Sequence, residues 1–66
     1  MKIDKLNDAI EASGMRKTFL ATMLGLSHAG FYNKLNGATE FTASEIKVLA
    51  GLLNLDPRQV IEIFLS

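Results

Sequence analysis

Turn signals divide this sequence into short helical segments and leave no room for a long one. Gly14, Gly25 and Asn36-Gly37 punctuate the first half, and Thr42 and Asp56-Pro57 open two further segments. Between these marks the apolar residues recur at spacings of three and four, the period of an amphipathic helix. Ile3, Leu6 and Ile10 share one face of a segment running from about Ile3 to Ser13. Leu20, Met23 and Leu24 form the expected apolar face of a second, from Lys17 to Leu24, with the small Ala21 beside them and Gly25 as the expected C-cap. Arg16 stands where a capping Ser or Thr would be preferred. The third segment opens at Ser27, a good N-cap, and ends near Leu35. Leu26 and Phe31 occupy the two positions of a hydrophobic staple. "TASE" and "DPRQ" are capping boxes that open a fourth segment (Ile46, Leu49, Ala50, Leu53) and a fifth (Val60 to Leu65). No period-two strand, repeat or linker appears, so the sequence predicts an all-α, compact bundle of five short helices forming one domain over 1–66.

With 66 residues and no cysteine, the chain has neither disulfides nor thiolate metal sites to stiffen it. A single His28 without clustered carboxylates builds no metal site. No cofactor is expected. One histidine, no cysteine and no paired carboxylates also offer no catalytic constellation, so the sequence does not read as an enzyme. No apolar run approaches the roughly 20 residues that span a bilayer, and the N-terminus lacks an apolar signal core. A soluble, cytosolic protein with no membrane partner and no small-molecule substrate is expected, either a whole translated chain or a self-contained domain.

The formal net charge is +0, but the charges are unevenly placed. Residues 13–39 hold Arg16, Lys17 and Lys34 and no acid, while both flanks are net acidic. Such asymmetry suits an anionic partner even at overall neutrality. The same basic stretch contains "LGLSHAGFYNKLNG", in which a turn precedes a capped helix whose first turn, His28-Ala29-Gly30, is too small and polar to pack well. Two short helices joined by the turn Gly25-Leu26-Ser27, with Ala21 permitting a close crossing, have the arrangement of a helix-turn-helix.

Residues 15–65 resemble the lambda-repressor-like, Cro-type (XRE) helix-turn-helix domains of phage and bacterial regulators. The matching residues are Lys17, Leu20-Ala21, Leu24-Gly25-Leu26-Ser27, Phe31, Asn36-Gly37 and "EIKVLAGLLNLDP". The runs "FYNKLNG" and "FTASEIKVLAGLL" with the terminal "IF" are similar to a short subgroup in phages of Gram-positive bacteria. The resemblance implies a transcriptional regulator of the bacterial cytoplasm that reads operator DNA in the major groove with the helix at about 28–35. It assigns base reading to His28, Ala29 and Asn33, with Tyr32 beside them. It assigns phosphate contact to Lys17, Asn36, Thr39 and Thr42, and the salt-dependent term adds Arg16 and Lys34. Asn33 suits adenine, Ala29 a thymine methyl, and His28 guanine or a phosphate. Three departures stand out. Arg16-Lys17 replaces the usual Gln or Ser/Thr, Lys34 stands at an often apolar position with Leu35 taking the core role, and the chain stops at the size of a Cro protein or an isolated N-terminal domain.

Two alternatives stay open on the residues themselves. Tyr32 faces either the core or DNA, which with Lys34 permits two rotations of the third helix. The fifth segment has apolar residues on more than one face, so Ile63, Phe64 and Leu65 either form a homodimer interface, free or only on DNA, or Phe64 completes the monomer core. A second function class is a helical protein-interaction module on the same fold, binding an antirepressor- or antitoxin-like partner. Net neutrality and the apolar last segment favour it.

Overall fold

The computed structural model describes residues 1–65. Five helices account for its regular structure: α1 (Ile3–Ser13), α2 (Lys17–Met23), α3 (His28–Leu35), α4 (Ala43–Leu52) and α5 (Pro57–Phe64). The all-α bundle expected from periodicity is the one observed, and none of the five is long and apolar enough to cross a membrane.

The core is shared among all of them. Leu6 and Ile10 come from α1, Leu20 and Ala21 from α2, Phe31 and Leu35 from α3, Leu49 from α4 with Leu53 at its C-cap, and Ile63 from α5. Each helix packs against two others, α1 on α3, α3 on α2, α2 on α4, α4 on α5, and α5 back on α1. The closing contact includes a backbone hydrogen bond, in which Lys2 N–H donates to Ile63 O at 2.7 Å. The Lys5–Glu62 ion pair lies on the same seam. Phe41, in the α3–α4 connection, packs edge-on against both Phe31 (centroids 6.3 Å apart) and Phe64 (5.8 Å). It thereby joins the core end of α3 to α5.

Helix ends are closed by local chemistry. Ser27 Oγ accepts from Gly30 N–H at 3.1 Å. The two boxes form as expected, Thr42 with Glu45 and Asp56 with Gln59. At the C-termini of α2, α3 and α4 the chain makes paired closing bonds of the Schellman type. Leu26 N–H donates to Ala21 O and Gly25 N–H to Thr22 O; Ala38 to Asn33 and Gly37 to Lys34; Leu55 to Ala50 and Asn54 to Gly51. The pivot residue of each has positive φ: Gly25 at 71°, Gly37 at 80° and Asn54 at 55°. At α1 a side chain enters the pattern. Ser13 Oγ accepts from Met15 N–H and donates to Ile10 O at 2.6 Å, relaying the bond that the backbone makes directly elsewhere.

Three expectations are corrected. Met23 is 49% exposed and does not belong to the apolar face of α2. Its buried stripe is Leu20 and Ala21, with Leu24 partly buried, because the small Ala21 turns inward and rotates Met23 out. The C-cap of α2 is Leu24, and Gly25 is the residue beyond it. Ile63 is buried in the monomer core and Phe64 packs on Phe41, so of the expected interface only Leu65, 72% exposed, faces outward.

Gly25 and Gly51 separate backbone strain from packing, because a Cβ on either meets nothing within 4 Å. Gly25→Ala is expected to cost about 1–2 kcal/mol, since its φ of 71° is a left-handed conformation. Gly51→Ala, in a helical position, is expected to stabilise by about 0.5 kcal/mol. Chemical denaturation of the two variants checks both signs.

Candidate nucleic-acid interface

The pair α2–α3 is held from both ends. The α2 closure delivers Leu26 onto the core, and Ser27 then caps α3, so the direction of α3 is fixed before its first full turn. Phe31 and Leu35 anchor α3 inward. The opposite face carries His28, Ala29, Tyr32 and Asn33, all exposed. They occupy adjacent positions in two successive turns and form one outward stripe. The alternative of a core-facing Tyr32 is thereby resolved, since the side chain is 48% exposed.

Lys17, at the start of α2, reaches this stripe. Its Nζ lies 5.6 Å from the Tyr32 ring centroid, within cation–π distance. A crevice of about 50 Å³ between the two helices is lined by Lys17, Thr18, His28 and Tyr32, with Ala21 and Phe31 beneath. The fold therefore brings Lys17, His28 and Tyr32 together. Ala29 and Asn33 lie along the same face, and Arg16 is the exposed N-cap of α2. Thr18 was not anticipated. Its signal was its place in the first turn of α2, next to Lys17.

Lys34 is placed differently. Its Nζ donates to Glu45 Oε1 at 2.6 Å and to Glu40 O at 3.2 Å, and stands 5.9 Å from the Phe41 ring. Both side chains of the pair are only 15% exposed. Its charge is neutralised within the chain, so Arg16 and Lys17 remain as the cations of the basic stretch. Glu45 Oε1 also accepts from Thr42 N–H at 2.9 Å, so one carboxylate closes the α4 N-terminus and holds α3 against it. The Thr42 hydroxyl serves as the cap of α4, accepting from Glu45 N–H at 3.2 Å. Asn36 and Thr39 are exposed at the C-terminal end of α3, and Thr39 N–H donates to Asn33 O at 3.3 Å.

A second concavity lies on another part of the surface. This groove of about 430 Å³ is lined by Met1, Ile3, Phe41, Ile46, Phe64 and Leu65, with Gly37, Thr39 and Glu40 at its polar side. Among known proteins, no family model matches the chain, and no curated protein or solved structure matches it significantly.

The Lys34 ammonium and the Thr42 N–H hold the Glu45 carboxyl below its ordinary value of 4.5. Such a group binds its proton less readily folded than unfolded, so its stabilisation is present above pH 4.5 and fades as pH falls through the lowered value. Glu45→Gln retains a carbonyl for Thr42 N–H but removes the charge. It is expected to cost about 1–2 kcal/mol at neutral pH. The gap from wild type should close on acidification, as followed by thermal melts across pH 3–7.

Proposed function

We propose that this protein is a sequence-specific DNA-binding regulator of the lambda-repressor-like, Cro-type class, acting in the bacterial cytoplasm. The observation that carries the reading is the outward stripe of α3. A helix anchored by Phe31 and Leu35 exposes His28, Ala29 and Asn33 together, beside the ammonium of Lys17, which has no ion-pair partner among the described residues. In this reading α3 lies in the major groove. Asn33 pairs with adenine, Ala29 meets a thymine methyl, and His28 donates to guanine or a nearby phosphate. Lys17 and Arg16 supply the salt-dependent phosphate term, and Asn36 and Thr39 approach the backbone from the end of the helix. Lys34 is omitted because Glu45 already satisfies it. Two copies on a twofold site would present two such helices about one turn of DNA apart, with Leu65 the exposed residue of the expected interface.

The second reading, a protein-interaction module, draws on the apolar groove beside Phe41 and Phe64 and on the exposure of Ile61 and Leu65.

Selection from a random duplex library, followed by titration at two salt concentrations, distinguishes the two. Tight, salt-sensitive and selective binding is expected. Lys17→Ala should weaken all duplexes alike and lower the salt slope by about 1. Asn33→Ala should cost about 1–3 kcal/mol of discrimination at one base pair. Failure to enrich any sequence rejects the DNA-binding reading in favour of the interaction module.

A further inference from the structure

Tyr32 sits among residues suited to base reading, yet its ring is already engaged. Lys17 Nζ lies over it, 5.6 Å from the centroid, across the junction of α2 and α3. Lys17 contrasts with Lys34, whose ammonium donates to a carboxylate and a carbonyl. Among the described residues no carboxylate lies within ion-pair reach of Lys17. A cation held over a ring face is restrained by the quadrupole and not by its N–H groups. All three N–H donors of Lys17 therefore stay available to an incoming anion.

We propose that Tyr32 is a positioning residue for Lys17 and not a reader of bases. Resting on the DNA-binding reading above, this assigns the Lys17–Tyr32 pair to a single backbone phosphate at the mouth of the α2–α3 crevice. A lysine stem loses rotational freedom when its head group is fixed on a phosphate. The ring of Tyr32 restricts that stem before DNA arrives, so less freedom is lost on binding. The ring occupies the space between Lys17 and α3 and leaves His28, Ala29 and Asn33 as the base-facing set. Nothing in this role requires the phenolic hydroxyl, because the ring face makes the contact.

The test is a double-mutant cycle on the selected duplex and on an unrelated one. Tyr32→Phe should bind as wild type does. Tyr32→Leu should weaken both duplexes by a similar factor, about three- to tenfold, with little change in preference between them. Tyr32→Leu should then add little in the Lys17→Ala background, because the ring acts only through that ammonium. In the free protein, the Lys17 side-chain methylene protons should show an upfield ring-current shift that Tyr32→Leu removes while the amide spectrum elsewhere is retained. Independent, multiplicative effects of the two substitutions overturn the proposal. So does a Tyr32→Leu variant that loses preference at one base pair while binding the unrelated duplex normally. If the wild type binds no duplex, the functional reading falls and the positioning role falls with it.

Discussion

Short helices are mostly ends, and the fold depends on how those ends are closed. In α2, seven residues long, the four N–H groups at the start and the four carbonyls at the finish outnumber the groups bonded inside it. A bundle of such pieces holds only if the unpaired groups find partners without long loops. The chain meets this constraint with side-chain caps at three starts and tight positive-φ turns at the finishes of α1 to α4. The turns at Gly25 and Asn54 also steer, because they land Leu26 and Leu55 on the core directly after the helix ends.

The exposed stripe of α3 is a product of the same economy. Because Leu26, Ser27 and Phe31 set the axis and rotation of α3, no side chain on its outer face is needed for packing. His28, Ala29 and Asn33 are consequently free of structural duty, and small or polar residues can stand there without cost to the core. At the far end of the helix the Lys34–Glu45 pair does the opposite work. It uses a charge from the basic stretch to tie α3 to the first turn of α4, leaving the two cations at the start of α2 to face outward.

Much of this was legible in the sequence where the determining interaction is local. The capping boxes at Thr42 and Asp56, the Ser27 cap and the Asn36-Gly37 stop involve residues three or four apart, and they form as read. Phe31 and Leu35 mark the buried side of α3, but the sequence left Tyr32 between core and solvent, and only the packed helix turns it outward. What was not legible depends on tertiary placement. Lys34 and Glu45 are eleven residues apart across an irregular connection, and no periodicity announces their meeting. Met23 has helical spacing from Leu20 yet faces solvent, because the crossing with α3 is set by the smallest residue of the face and not by the most apolar one. Ile63 and Phe64 looked like surplus apolar surface because the sequence conceals Phe41 and the α1–α5 seam that cover them.

The order of the helices around the core, α1, α3, α2, α4, α5, is not their order along the chain. Of the main packing contacts, α2–α3 and α4–α5 join helices that are also consecutive in sequence, while α3 meets α4 through the Lys34–Glu45 pair. The two helices beside the candidate interface thus each rest on a partner from elsewhere, α3 on α1 and α2 on α4. A peptide spanning α2 and α3 would keep its caps and its turn but lose the surfaces that fix the angle between the helices. Whatever this face recognises, it recognises as part of the whole bundle, and the stretch from Lys17 to Leu35 cannot be lifted out as a miniature of the protein.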